Sequence, residues 1–210
     1  MSNDKKEAGL LILKDLAMFN EATILFEKEI QPEIQEKFNE CIENWTKQKG
    51  WIFEINDKNW DINDPANWLS VSPKKWCPDT DSNFWFYLGW LQQKSDSYLL
   101  ADLTGIGSDD IIFGFDMSNY KVCKNWKTIL KTLENENINR LNERGFVFDT
   151  HCVFTLPIKK LELKKLVIAW ETDNDCDYEE AFKPLTDALD TLETSWQIFD
   201  ELIDKVKDDL

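Results

Sequence analysis

The chain has one histidine, His151, and only two arginines, Arg140 and Arg144, among its 210 residues. A single imidazole leaves no second His for a zinc centre and removes most triad schemes. The five cysteines, Cys41, Cys77, Cys123, Cys152 and Cys176, are odd in number, far apart and never in a C-x-x-C pair. That pattern excludes a dense disulfide framework and the common thiolate zinc spacings, and it predicts reduced thiols in a cytoplasm. No apolar run approaches the roughly 18 residues that a membrane helix needs. The nearest stretch, Leu10 to Phe19, is interrupted by Lys14 and Asp15 and has no small-residue cleavage site after it, so it does not read as a signal segment. Positive charge is scarce: 24 Lys and Arg stand against 40 Asp and Glu, a net charge of −16. Direct nucleic-acid binding and docking on anionic lipid both require clustered cations, so neither is expected.

What is present is apolar and aromatic. Hydrophobic residues make up 42% of the chain, with 10 Trp and 13 Phe. That suffices for a core, and much of it must be aromatic. Lysine outnumbers arginine 22 to 2, and Asn is frequent. This usage fits an AT-rich genome of bacterial or phage origin. The clearest pattern is a heptad seam at Tyr178, Phe182, Leu185, Leu189, Leu192, Trp196, Phe199, Ile203, Val206 and Leu210. Its spacings alternate four and three, which keeps one stripe of a helix against one surface. From Glu171 to Leu210 the chain holds 14 Asp and Glu against three Lys, so the rest of that helix is strongly anionic.

The remaining elements follow from periodicity and punctuation. Ile12, Leu16, Phe19, Phe26 and Ile30 recur at helical spacing. Pro32 then suits the first turn of a second helix, which carries Ile34, Phe38, Cys41 and Trp45 and stops near Gly50. Trp51–Ile55 is a short β-prone run. Asn56–Asp81 is a loop rich in Asn, Asp and Pro, with Trp60, Trp68 and Trp76 set into it. Phe84–Gln92, Tyr98–Thr104 and Ile111–Asp116 read as three strands of an antiparallel meander. A helix is expected from about Lys121 to Asn142, then a strand over Phe146–Leu156. Leu161–Trp170 is ambiguous, with the run LVIAW favouring strand.

These elements predict one α+β domain over residues 1–210. Its parts are an N-terminal helical hairpin (1–50), a Trp-rich loop and central antiparallel sheet with one additional helix at 121–142 (51–170), and a long acidic amphipathic helix (171–210). The N-terminal helices offer seams matching that of the final helix, so a three-helix bundle beside the sheet is the leading architecture. A homodimer through the final helix is the competitor. Its heptad rim carries Glu179, Glu193 and Asp200, which would repel in a parallel pair, so a monomer is favoured.

Candidate chemistry is sparse. Asp173, Asp175 and Asp177 alternate in a way that resembles the opening of an EF-hand calcium loop. The Gly and bidentate Glu such a loop requires are replaced by Tyr178 and Pro184, and anions opposing a helix macrodipole are the simpler reading. Thr104–Asp110, TGIGSDD, carries a Gly-x-Gly pair, but a strand follows it, which points to a turn and not a phosphate cradle. His151 and Cys152 are neighbours on an expected strand, so their side chains would face opposite sides. Lys121, Lys124, Lys127 and Lys131 share one helical face, which more simply solvates the helix or meets the acidic one.

No cofactor is implied. The favoured reading is a non-enzymatic, acidic protein-interaction module. An inhibitor, immunity or antagonist protein that binds a basic partner, in the manner of a DNA mimic, is its concrete form. The residues expected at the partner are Glu179, Glu180, Asp187, Asp190, Glu193, Asp200, Glu201 and Asp204, with Trp60, Trp68 and Trp76 as aromatic anchors. The alternatives are a metal-dependent hydrolase or nuclease-like enzyme built on clustered carboxylates, and a structural subunit of a larger assembly.

Overall fold

In a computed structural model the described residues are 3–56, 68–76, 84–91, 97–116, 135–148 and 153–208. The α+β class holds: N-terminal helices, a central antiparallel sheet and a long C-terminal helix are all present. Among the described residues, no helix is long and apolar enough to cross a membrane.

The N-terminal region comprises α1 (Asn3–Lys14), α2 (Leu16–Leu25), a π-helical segment (Phe26–Ile30) and α3 (Gln31–Lys49). Asp15, at φ −130° and ψ 46°, separates α1 from α2. Leu25, Phe26, Ile30 and Gln31 all keep right-handed dihedrals, so the backbone turns on through the π segment without a break. Pro32 supplies the reason. Its ring would press on the carbonyl four residues back, and one widened turn relieves that pressure. There the Gln31 N–H donates to the Phe26 carbonyl, five residues away. Gly50, left-handed at φ 70°, ends α3 where the sequence predicts.

Only the second N-terminal seam reaches the final helix. Ile34, Phe38, Ile42 and Trp45 of α3 are buried, whereas α2 buries no residue. The expected three-helix bundle is therefore reduced to α3 against the C-terminal helices. Matching periodicity was not enough to bring the first helix in.

The sheet has six strands in the order β1-β2-β3-β4-β6-β5, all neighbours antiparallel. They are β1 (Trp51–Ile55), β2 (Leu69–Pro73), β3 (Phe86–Trp90), β4 (Ile111–Asp116), β5 (Val147–Phe148) and β6 (Val153–Pro157). Tyr87 stands opposite Gly114 in the β3–β4 register. A Cβ on Gly114 would lie 2.2 Å from the Tyr87 ring, so that ring needs glycine beneath it. The Phe146–Leu156 strand expected from the sequence is two strands, β5 and β6, paired with each other. His151 and Cys152 lie outside the described residues, as do Lys121, Lys124, Lys127, Lys131 and Trp60. Within the span 121–142 expected to be helical, the described residues from Asn135 form α5 (Asn135–Glu143).

Two expected strands are helices. Leu99–Thr104 forms α4 and thus replaces the middle strand of the meander. Leu99 and Leu103 face the core one turn apart, Tyr98 is extended at the N-cap, and Gly105 closes the helix at φ 76°. Over so short a run, apolar spacing cannot separate strand from helix. Leu163–Thr172 forms α6, which buries Leu166 and Ala169 three residues apart. The β-branched content of LVIAW was outweighed by that helical spacing.

The final helix is two, α7 (Asp175–Ala181) and α8 (Lys183–Asp208), broken at Phe182 with φ −89° and ψ 11°. Pro184 cannot donate to the carbonyl of Glu180, so the ladder restarts just before it. The seam survives the break. Tyr178, Phe182, Leu185, Leu189, Leu192, Phe199 and Ile203 are all buried. Phe199 sits at the centre, its ring 5.1 Å from Phe86, 4.7 Å from Phe115, 5.2 Å from Phe146 and 5.3 Å from Phe154. This occupies the face through which a homodimer of the final helix would have formed.

The TGIGSDD segment is a turn, joining α4 to β4 and not strand to strand. It wraps a buried carboxylate. Asp102, 0% exposed, accepts from Trp90 Nε1 at 2.9 Å, Ser97 Oγ at 2.6 Å and the Asp109 N–H at 3.3 Å. A Cβ on Gly107 would stand 2.0 Å from Asp102 Oδ1, which explains the second glycine. Lys160 Nζ closes the turn by donating to the carbonyls of Asp102 at 3.0 Å and Asp109 at 2.8 Å.

Candidate interaction site

A cleft of about 610 Å³ opens between α3 and the α7–α8 junction. Helical spacing puts Lys37, Cys41, Asn44 and Gln48 of α3 on one wall. The other wall spans the break at Phe182: Asp175, Tyr178 and Glu179 come from α7, and Lys183 and Thr186 from α8. Trp45, Tyr178 and Phe182 lie beneath the cleft and are themselves buried. Tyr178 stacks on Phe182 at 5.9 Å, and Phe182 meets Phe38 edge-on at 5.8 Å.

The charge in the cleft is mixed but acidic, with Glu40, Asp175, Glu179 and Glu180 against Lys37 and Lys183. Lys37 Nζ lies 2.9 Å from Asp175 Oδ1 and 3.5 Å from Glu40 Oε2. The hydrogen bond to Asp175, with the charge of Glu40, holds its ammonium well above the usual lysine range. Burial pushes the Cys41 thiol up to about 12, and the charge of Glu179 adds to it. Burial likewise raises Tyr178 to about 12, helped by Glu33, whose Oε1 accepts from the phenol at 3.2 Å. These shifts keep Cys41 a thiol and Tyr178 a phenol near neutral pH.

No protein-family model, curated protein or solved structure matches this chain. The site therefore stands on its own geometry.

The acids expected at the partner are largely engaged within the fold. Glu180 pairs with Lys165 at 2.8 Å, and Asp187 pairs with Lys183 one turn earlier. Asp190 accepts from Trp45 Nε1 at 2.9 Å and lies 3.7 Å from Lys49, whose Nζ is 2.6 Å from Glu193. Asp200 takes Lys75 at 2.5 Å and Trp76 Nε1 at 3.2 Å, while Glu201 takes Arg140 at 2.8 Å. Six of the eight carboxylates are thus ion-paired, and Glu179 and Asp204 remain exposed beside them. The cations respond as expected: Lys49, Lys75, Lys165 and Lys183 are raised by hydrogen bonds to their acids, and Glu180 is lowered by its bond from Lys165.

Of the tryptophan anchors, Trp68 is 45% exposed at the start of β2. Trp76 is a core residue and not a surface anchor. It is 3% exposed, between the rings of Phe86 at 5.4 Å and Phe115 at 5.5 Å. Its indole N–H had an acceptor available in Asp200, which made that burial cheap.

The aspartate triplet is divided among three roles. Asp173 is left-handed at φ 47° and ends α6, Asp175 holds Lys37, and Asp177 accepts from Thr172 Oγ1 at 2.8 Å. The N-cap of α7 is Asn174, which accepts from the Cys176 N–H, with Asp175 and Asp177 in the first turn. Among the described residues, no group of three or more His, Cys, Asp or Glu side chains is placed to hold a metal ion.

Reading one helix at a time missed the opposite wall of the cleft. Glu33, Lys37 and Glu40 flank the α3 seam, and that flanking position was the available signal.

Proposed function

We propose that the protein is a non-enzymatic interaction module that receives a Lys- or Arg-bearing segment of a basic protein partner in the α3/α7–α8 cleft. The observation that carries this reading is the grouping of four carboxylates, Glu40, Asp175, Glu179 and Glu180, in one open cleft. A basic side chain entering it meets carboxylates on both walls for its charged head. The net charge of −16 supports fast, salt-sensitive association.

An inhibitor or antagonist that occupies the basic site of its target is the concrete form of this proposal. The internal ion pairs do not oppose it. Exposed pairs contribute only about 0–1 kcal/mol each, so a partner's cations can compete for the same acids. A reducing cytoplasm suits the free thiols of Cys41 and Cys176.

The test is a titration with a lysine- and arginine-rich decapeptide, followed by tryptophan fluorescence at several salt concentrations. Binding should weaken steeply between low and physiological salt. The double variant Glu40→Gln, Glu179→Gln should raise Kd about tenfold. Equal binding of an uncharged decapeptide, or unchanged affinity in the double variant, would refute the assignment.

A further inference from the structure

The cleft already holds a cation of its own. Lys37 Nζ lies 2.9 Å from Asp175 Oδ1 on the opposite wall and 3.5 Å from Glu40 Oε2 on its own helix. It also stands over the Tyr178 ring, 5.8 Å from the centroid. Two of the four carboxylates that would receive a partner's cation are thus held by a lysine of the same chain. An ammonium or guanidinium from outside would make the same charge-assisted bonds to the same oxygens. Four acids and two lysines give the lining a net charge of −2, which would be −3 without Lys37.

Other lysines do not share this position. Lys183 also lines the cleft, but it pairs along its own helix with Asp187. Lys49 bridges α3 to α8, at 2.6 Å from Glu193 and 3.7 Å from Asp190, and is not among the lining residues. It lies twelve residues beyond Lys37 on α3. That is about 18 Å along the helix, more than twice the roughly 8 Å screening length at physiological salt.

The Lys37 bridge is not what holds the walls together. Asp175 keeps 83% of its side chain exposed and Glu40 49%, and exposed pairs of this kind contribute little. The helices are joined by apolar burial instead. Phe38 meets Phe182 edge-on, and Ile34, Ile42, Leu185 and Leu189 are buried. The bridge can therefore open while the walls keep their places, with the ammonium swinging to solvent on its flexible stem.

We propose that Lys37 is a built-in competitor: it occupies the Asp175 and Glu40 end of the cleft in the free protein, and a basic segment binds by displacing it. This rests on the cleft being the partner site. A segment with one cation exchanges one ammonium for another, whereas a segment with several can replace Lys37 and also meet Glu179 and Glu180. The device thus selects multiply basic segments.

Titration of the full chain with the lysine- and arginine-rich decapeptide at physiological salt tests it. Lys37→Met should lower Kd about fivefold, the upper end of what an exposed pair is worth. Lys49→Met makes the same change of charge outside the cleft and should move Kd less than about twofold. Trace acetylation with acetic anhydride, read by peptide mass spectrometry, should modify Lys37 faster when a lysine-free, arginine-rich decapeptide is bound, because a displaced ammonium loses its carboxylates. A Lys37→Met variant that binds no tighter overturns the proposal, even where the Glu40→Gln, Glu179→Gln variant weakens binding as expected. So does an equal gain from Lys49→Met, or acetylation of Lys37 that the peptide leaves unchanged or slows. If the Glu40→Gln, Glu179→Gln variant binds as tightly as the wild type, the cleft is not the partner site and both readings fall.

Discussion

The helices over residues 3–30 and those over residues 175–208 both carry a seam at three- and four-residue steps, yet they meet opposite ends. Leu185, Leu189, Leu192 and Phe199 are 0% exposed, whereas Leu11 and Leu13 are 63% and 71% exposed. The difference lies in what stands opposite. The C-terminal seam faces a sheet whose Phe86, Phe115 and Phe154 form a complementary aromatic surface. Among the described residues, the N-terminal seam faces nothing of comparable chemistry. A heptad pattern states that a helix needs a partner surface, but the surface itself is supplied by other parts of the chain or by another molecule.

The largest test of this contrast is a pair of truncations. Phe199→Ala removes the ring shared by four neighbours and should cost about 3–5 kcal/mol in urea unfolding. Leu13→Ala should leave the stability of the protein within about 0.5 kcal/mol, because an exposed side chain loses little. Comparable losses at the two positions would mean that the N-terminal helix is packed after all.

Burial is not reserved for apolar side chains, and Asp102 separates the two ideas. Asp102→Ala would leave the Trp90 indole, the Ser97 hydroxyl and the Asp109 N–H short of an acceptor in a closed turn. We expect a loss of about 1–3 kcal/mol in the same unfolding assay. A neutral result would show that water replaces the carboxylate and that the turn is loosely held.

Thiol chemistry gives a smaller contrast. Cys41 is half-buried in the α3 wall with its thiol raised to about 12, while Cys176 is exposed. Iodoacetamide at pH 8, read by peptide mass spectrometry, should label Cys176 at least about tenfold faster than Cys41. Because the folded value of Cys41 lies above its ordinary 9.0, its contribution to stability is full below 9.0 and is lost as pH rises towards about 12. The raised phenol of Tyr178 acts in the same direction, from its ordinary 10.0 to about 12. An alkaline melting series should therefore show stability falling across that window, and Cys41→Ala should flatten its lower part.

The smallest effect belongs to the surface pairs. Glu180 is lowered by its hydrogen bond from Lys165, so its contribution is present above its ordinary 4.5 and disappears as pH falls through the lowered folded value. The group is fully exposed, and Glu180→Gln should leave the melting temperature at pH 7 unchanged within experimental scatter. A clear drop would mark α7 as held by charge more than by Tyr178 and Ala181.

Periodicity, glycine and proline made much of the fold legible. Gly50 ended α3 as expected, and the C-terminal seam was buried as a stripe. Tyr98–Thr104 and Leu161–Trp170 were misread because runs of six to ten residues satisfy both strand and helix periods, and contact with the core decides between them. The candidate site was half legible. Glu179 and Glu180 do line the cleft, but Trp76 went to the core once Asp200 offered its indole an acceptor. The α3 wall was invisible from the final helix alone, since a cleft is a relation between two segments more than a hundred residues apart.

By itself the sequence determined the α+β class, the amphipathic stripes, the anionic character of the last forty residues and the scarcity of ligating His and Cys. These are properties of composition and local period, and each residue carries them wherever it is placed. Tertiary structure alone decided which stripe found a cover, which carboxylates were spent on Lys49, Lys75, Arg140, Lys165 and Lys183, and which stayed at the cleft. Those outcomes depend on distance between remote segments, because apolar burial and ion pairing act over only a few ångströms and no local pattern encodes who arrives there.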